Sequence, residues 1–363
     1  VGTKINVAIL YGGRSPEHKI SLVSAQNVYK SIDKEKYNPI LIAIDKSGQW
    51  HYHNERMSLV HPDNIDQIAL NDTDNKVWLS QNTSEGTLIS ASTNEILCKI
   101  DVIFPVLHGT YGEDGSIQGL SKTAGIACVG CGIIGSSIGM DKDIMKRILR
   151  DSDIKVSKGI TIRNTSEGIQ YDDVVANLGH ELFIKPANLG SSVGVSYSDS
   201  EEKFFDALNN ALKYDNKVIV EQKIVGREIE CAVLGNHAPQ ASIPGEIIPK
   251  SSFYSFDNKY IDADGAALHI PAELTKHQMD RIKKLSVETF TVLECRGMAR
   301  VDMFLTPEDD LIINEINTIP GFTNISMYPK LWEASGLKQT DLVSKLISLA
   351  IEEHNAVNKL LMV

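Results

Sequence analysis

The chain has 363 residues, 42% of them apolar and 23% charged, with a formal net charge of −11 at pH 7. That length holds two or three domains of ordinary size, and the acidic balance argues against a nucleic-acid surface, which needs clustered Lys and Arg. No apolar run approaches the roughly 20 residues that a membrane helix requires, and Val1-Gly2-Thr3-Lys4 leads straight into a strand without the apolar core of a signal peptide, so a cytoplasmic enzyme is expected.

Residues 5–11 read as a buried strand that breaks at Gly12-Gly13, and 17–32 carry helical periodicity after it. Residues 39–44 are the next strand. The stretch 45–100 is mixed, with polar runs such as Asn71-Asp72-Thr73-Asp74-Asn75, and reads as an elaborated insertion. A buried strand at 102–107 ends in His108-Gly109, followed by a helix at 118–124 and a short strand at 127–129. The strand–Gly–helix opening raises a dinucleotide-binding fold. However, Gly12-Gly13-Arg14-Ser15 is not G-x-G-x-x-G, and no acid sits suitably about 20 residues on. Five cysteines, odd in number and scattered, do not describe a disulfide framework. Cys128-Val129-Gly130-Cys131 matches C-x-x-C but lacks a second ligand pair for zinc, and it ends a strand instead of opening a helix.

A second unit starts near Gly132. Met140-Asp141-Lys142-Asp143 is a helix start, with Asp141 able to cap. Strands at 158–162 and 181–186 lead into the loop Asn188-Leu189-Gly190-Ser191-Ser192-Val193-Gly194, and a helix at 201–213 and a strand at 217–222 close the unit. The last unit alternates strands at 228–234 and 299–317 with helices at 276–293 and 339–353. Between them lies 250–271, polar and aromatic without a clear period; a loop that long inside a compact domain is usually functional, often a lid.

Two stretches carry chemistry. In Gly190–Gly194, small residues let backbone N–H groups approach phosphate oxygens, and Lys185 on the preceding strand adds charge. The loop is not a Walker A motif, and taken alone such a loop is more often a tight turn than a phosphate cradle. The second stretch is an apolar hairpin with acids where apolar residues belong, at 299–305 and 311–317. Side chains alternate faces along a strand, so Arg300, Asp302 and Phe304 share one face, as do Ile313, Glu315 and Asn317. A turn centred on Glu308-Asp309 sets Asp302 opposite Glu315 and Arg300 opposite Asn317. Opposed carboxylates repel unless a cation sits between them, and Asp, Glu and Asn oxygens suit Mg²⁺ or Mn²⁺ bound with nucleotide phosphates. The competing reading is an edge hairpin with solvated acids.

Taken together and in order, Gly12-Gly13-Arg14-Ser15-Pro16-Glu17, His108-Gly109, Gly112-Glu113-Asp114-Gly115, Met140-Asp141-Lys142, Lys185-Pro186, Gly190–Gly194, Glu221, Glu228, Phe253-Tyr254, Lys259-Tyr260, Arg300-Val301-Asp302, Asn314-Glu315-Ile316-Asn317 and Pro320-Gly321 resemble the D-alanine–D-alanine ligases of the ATP-grasp superfamily. The resemblance spans nearly the whole chain apart from about 45–100. It implies an α/β (α+β) fold of three domains: 1–131 as an open α/β substrate domain, 132–226 as the central ATP-grasp subdomain, and 227–363 as the C-terminal one with the metal site and the lid 250–271. Nucleotide is held between the last two.

The same resemblance implies ATP-dependent joining of two D-alanines through a D-alanyl phosphate, for cell-wall precursor synthesis by a cytoplasmic homodimer. ATP would be bound by Lys142, Lys185, Ser191, Ser192, Glu221, Glu228, Phe253, Lys259, Asn314 and Glu315, and two Mg²⁺ or Mn²⁺ ions by Asp302, Glu315 and Asn317. Glu17 and His108 would serve the first D-alanine, Ser326 and Met327 the carboxylate of the second, and Arg300 with the Gly321 backbone N–H the developing oxyanion. Lys259 and Tyr260 would also contact substrate. Glu17, Ser191 and Tyr260 would form a hydrogen-bonded triad joining the lid to the other domains, and a tyrosine at 260 favours an amine acceptor over D-lactate. Two readings stay beside these: His108 ending a strand, and Ser326 capping a turn. At the level of function, the alternatives are another ATP-grasp carboxylate–amine ligase, such as a D-Ala-D-Ser ligase, and a non-catalytic nucleotide-binding protein of the same fold.

Overall fold

Ile5–Gly12, Tyr37–Ile44 and Val102–Val106 are nearly continuous apolar runs, the pattern of parallel strands covered on both faces. In the computed structural model, which describes residues 3–53, 57–71, 74–80, 86–249 and 266–360, these strands and Ala127–Cys128 pair in parallel at the centre of the first sheet. Gly12 ends the first strand at φ +91°, where a Cβ would come 2.3 Å from the Ile44 carbonyl oxygen. That close approach lets Gly13 N–H donate to the same oxygen at 2.7 Å, so only glycine fits position 12.

The stretch expected to be an insertion adds strands to this sheet. Trp50–His53, Lys76–Ser80, Thr87–Ser90 and Ile96–Lys99 continue it in antiparallel order to eight strands. Their short, half-exposed runs carry too little apolar alternation to be recognised singly.

The second sheet runs Gly159–Arg163, Lys217–Gln222, Leu182–Pro186 and Ser196–Ser198, all antiparallel. Helices Tyr171–Leu178 and Glu201–Ala211 cover it, burying Val174, Phe204 and Leu208 against Ile184, Val218 and Val220. The third sheet runs Ala266–His269, Gly245–Pro249, Arg227–Gly235, Gly297–Leu305 and Leu311–Asn317, with Gln240–Ala241 beside Arg227–Gly235. Ala266–His269 lies inside the span expected to be a loop; it is a strand because its backbone pairs with Gly245–Pro249, a long-range bond that four residues do not announce. The part of that span before it, 250–265, lies outside the described residues.

Alternation along the third sheet separates two cores. Cys231, Val233 and Val301 pack with Ile282 and Phe290 of helix Lys276–Val292, and with Met145 and Leu149 of helix Lys142–Asp151. Ala232, Leu234 and Met298 face the other way. There they share one apolar cluster with Val7, Ile9 and Phe104 of the first sheet and with Leu342, Leu346 and Ile347 of helix Gln339–Asn358. The earliest strands and this late helix thus complete a single core. On the same face, one or two pleats along, the strands switch from apolar to charged at Glu228, Glu230, Arg300 and Asp302. The site begins where that core ends.

Candidate active site

The hairpin sets Arg300 opposite Asn317 and Asp302 opposite Glu315, as the alternation required. It does so by a different route from a regular ladder. Leu305 pairs with Leu311 and Met303 with Ile313, and one extra residue then enters the return strand. The extra residue is Asn314. The bulge turns Ile313 into the apolar core, where it is 0% exposed, and not onto the site face expected for it. Asn314 and Glu315, although adjacent in sequence, both line the same cavity.

The opposed acids are also not left facing each other. Arg300 donates from Nε to Asp302 Oδ1 and from Nη2 to Oδ2, both at 2.7 Å, and Asn317 Nδ2 donates to Asp302 Oδ2 at 2.9 Å. Arg300 Nε also lies 2.9 Å from Glu230 Oε2. Lys142 Nζ lies 3.4 Å from Glu315 Oε2. Cations of the chain itself offset the repulsion that the pairing alone would produce. Glu230 escaped the sequence reading, yet it left a signal: it stands two residues after Glu228 on an otherwise apolar strand, so both acids share a face.

A cavity of about 240 Å³ lies between the second and third sheets. Its walls include Lys142, Lys185, Ser192, Glu221, Glu228 and Asn314 of the expected nucleotide set. Asp141 caps the helix that carries Lys142, accepting from the N–H groups of Asp143 and Ile144 at 3.1 Å each. Lys142 Nζ donates to the Leu189 carbonyl at 2.7 Å, tying it to the glycine-rich loop. In that loop Ser191 and Ser192 both hold positive φ, 52° and 60°, conformations that cost energy for non-glycine residues and cluster at ligand sites.

Behind the lysines lies a charge cluster only partly expected. Glu221 is 3% exposed and takes ion pairs from Lys185, at 2.5 Å, and from Lys146, whose ammonium also donates to Ser157 Oγ at 2.6 Å. Lys185 reaches Asn314 Oδ1 at 3.3 Å as well. Lys146 lies one helical turn beyond Lys142, on the same face, and that spacing is the signal that could have found it. Burial would raise the Glu221 carboxyl, but Lys146 and Lys185 hold it at about 2. Burial outweighs the pull of Glu221 on Lys146 and lowers it to about 8.

Removing one member of a buried ionic cluster strands another. Lys146→Met is therefore expected to cost about 3–5 kcal/mol of unfolding free energy, read from urea melts at pH 7; a loss below about 1 kcal/mol would show the cluster to be solvated. The Glu221 carboxylate is depressed in the folded state, so its contribution is whole above its ordinary value of 4.5 and is lost as pH falls through about 2. Melts between pH 5 and 2 should fall more steeply for the wild type than for Glu221→Gln.

A second cavity, about 90 Å³, shares Gly190, Glu230, Ile247 and Glu315 as walls with the first. Glu17, His108, Ser191, Arg300, Gly321 and Ser326 line it, and Met327 joins them. Ser191 Oγ donates to Glu17 Oε1. Ser326 Oγ accepts the Thr323 N–H at 2.9 Å, so it does close a turn, and it also precedes helix Met327–Ala334. The Met327 N–H therefore opens a helix N-terminus facing the cavity, a favourable place for a carboxylate. His108 is committed to the protein: Nδ1 donates to the Ile319 carbonyl at 3.0 Å and Nε2 accepts from Ser24 Oγ at 3.1 Å. Burial draws it down to about 4, leaving it neutral at pH 7. Glu113, which the motif reading quoted but gave no role, lies in the same wall; desolvation and then neighbouring Glu17 push it up to about 8. Phe253, Lys259 and Tyr260 lie outside the described residues.

The donor set fits a hard divalent cation. Asp302, Glu315 and Asn317 would offer oxygens from two adjacent strands, the two acids lining the larger cavity with the lysines and Asn317 the smaller one. Among the described residues no three His, Cys, Asp or Glu side chains converge on a metal site. No helix among the described residues is long and apolar enough to cross a membrane.

Residues 6–131 match the family model for the D-ala D-ala ligase N-terminus, and residues 148–348 the model for the D-ala D-ala ligase C-terminus. The chain is 48% identical over 352 residues to the D-alanine–D-alanine ligase of Oceanobacillus iheyensis, covering 97% of this chain and 96% of that protein. Among solved structures it is similar to the D-alanine-D-alanine ligase from Coxiella burnetii, with a TM-score of 0.84 at 36% identity, covering 99% and 97% of the two chains. It is also similar to the VanG D-Ala:D-Ser ligase from Enterococcus faecalis, with a TM-score of 0.84 at 34% identity, covering 96% and 100%. The three large sheets, with a cleft between the second and third, and the likeness to these ligase structures make this an ATP-grasp fold. The chain belongs to the D-alanine–D-alanine ligase family, and as such is an ATP-dependent ligase acting on small molecules.

Proposed function

We propose that this chain joins two D-alanines into D-alanyl-D-alanine for cell-wall precursor synthesis, as a cytoplasmic homodimer built from units at 1–131, 132–226 and 227–363. The observation that carries the reading is the pair of adjoining cavities. One is lined by Lys142, Lys185 and the Asp302/Glu315 pair, the other by Glu17, Arg300, Gly321 and Ser326, and Glu315 stands in the wall of both. A phosphoryl group held among the lysines is thereby next to a carboxylate held in the smaller cavity.

In this reading Lys142 and Lys185 neutralise the phosphates, Ser191 and Ser192 offer backbone N–H groups, and Glu228 accepts the ribose hydroxyls. Asp302, Glu315 and Asn317 would hold Mg²⁺ or Mn²⁺, which would offset phosphate charge during transfer. Glu17 binds the ammonium of the first D-alanine, whose carboxylate becomes the acyl phosphate. Arg300 and the Gly321 N–H stabilise the oxyanion as the second amine attacks, and inorganic phosphate leaves as the C–O bond of the tetrahedral intermediate breaks. Ser326 and the Met327 N–H receive the second carboxylate. Tyr260, by resemblance, completes a latch with Ser191 and Glu17 that keeps water from the acyl phosphate.

The test is phosphate release and product mass measured with D-alanine, D-serine and D-lactate as acceptors. One phosphate per D-alanyl-D-alanine, with D-alanine preferred, is expected. A preference for D-serine, or ATP turnover without any dipeptide, would overturn the reading.

A further inference from the structure

The turn 319–322 carries Gly321, and residues far earlier in the chain hold it at four points. Glu113 Oε1 accepts the Ile319 N–H at 3.1 Å, while His108 Nδ1 donates to the Ile319 carbonyl at 3.0 Å. Ser24 Oγ accepts the Phe322 N–H at 3.2 Å, and Asn27 Nδ2 donates to the Phe322 carbonyl at 2.8 Å. Glu113 differs from the other three in also gripping backbone outside the turn, whereas His108 and Ser24 spend their second bonds on each other. Its Oε2 accepts the Gly109 N–H at 2.8 Å. Gly109 is pressed against Glu17: it holds φ +76°, and a Cβ there would meet Glu17 Oε2 at 2.7 Å.

One carboxyl group therefore ties the backbone beside Glu17 to the backbone that presents Gly321. We infer that Glu113 is a positioning residue for ligation, fixing the first amino-acid subsite relative to the oxyanion-side amide; this rests on the function proposed above. The chemistry requires an acid. Two N–H donors approach two different oxygens, and in either protonation state only Asp or Glu keeps an acceptor lone pair at both ends of the fork. A glutamine of the same shape turns an NH₂ toward one of those N–H groups, so donor meets donor and one grip opens. Glu113 does not line the nucleotide cavity, so ATP binding should be indifferent to it.

The experiment compares wild type with Glu113→Gln and Glu113→Asp in the full chain. Three quantities are read: kcat for dipeptide, KM for ATP, and amide hydrogen exchange at residues 109, 319, 321 and 322. For Glu113→Gln we expect kcat to fall about 10- to 100-fold, as when reacting groups are misplaced by about an ångström. KM for ATP should stay within about twofold and exchange in the 319–322 turn should quicken. If exchange is unchanged, the strap does not exist as described. If exchange quickens while kcat holds, the strap exists and does not serve the reaction. If kcat falls only in step with a rising KM for ATP, the defect is general and the role is overturned. Should the glutamine variant fail to fold, Glu113→Asp, too short to reach both N–H groups, is judged by the same readouts. A wild type that forms no dipeptide overturns the proposed function, whereas a competent wild type with a competent glutamine variant overturns this inference alone.

Discussion

Arg300→Met is expected to lower dipeptide turnover by about 10²-fold or more, with a much smaller change in the KM for ATP. The guanidinium is held in place before any substrate arrives, by both oxygens of Asp302 at 2.7 Å and by Glu230 at 2.9 Å. A donor fixed in this way needs no reorganisation when negative charge develops beside it, which is the source of the expected rate effect. The substitution also leaves Asp302 and Glu230 without their shared cation, so a lowered melting temperature should accompany it. Arg300→Lys separates the two consequences. It returns the charge without the planar fork, and should recover stability while leaving most of the rate defect. Unchanged turnover with only weakened ATP binding would assign Arg300 to the nucleotide and not to the oxyanion.

Asp302→Asn and Glu315→Gln are each expected to reduce ligation by more than about 10²-fold, with the fold retained. Their diagnostic is the metal. The Mg²⁺ concentration for half-maximal activity should rise steeply, and Mn²⁺ binding followed by calorimetry in the presence of ATP should weaken in parallel. Near wild-type turnover at saturating Mg²⁺ would end the metal assignment. Neither change should raise stability by relieving repulsion, because Arg300 and Lys142 already stand against the two acids. Thermal melts without metal decide that point.

The hairpin shows how far alternation carries. Acids at every second place on an apolar strand fixed which side chains share a face, and Asp302 is indeed opposite Glu315. Alternation is blind to a single inserted residue when the partner strand is not specified, so the bulge at Asn314 and the inward turn of Ile313 were not legible. Resemblance had placed Asn314 with the nucleotide, and the bulge supplies the geometry that alternation denied it. Glu230, Lys146 and Glu113 were legible only as positions on a face or within a motif. Their significance depends on partners 70, 75 and 206 residues away in sequence, at Arg300, Glu221 and Ile319. The strands within 45–100 went unseen for a different reason: each is short and half-exposed, and gains its stability from the sheet it joins.

The core shared by the first sheet and helix Gln339–Asn358 bears on how the protein is made. Val102, Phe104 and Ala127 leave the ribosome early, whereas Leu342, Leu346 and Ile347 of the helix packed on their strands follow more than two hundred residues after Val129. At roughly 5–20 residues per second, the sheet waits on the order of ten to forty seconds for its cover. During that interval a nascent chain displays an apolar sheet face, the kind of surface that chaperones engage. Synthesis of the early strands therefore precedes their folding to completion, and a chain stopped before residue 339 should accumulate as a chaperone-bound or aggregated species instead of a free native fragment.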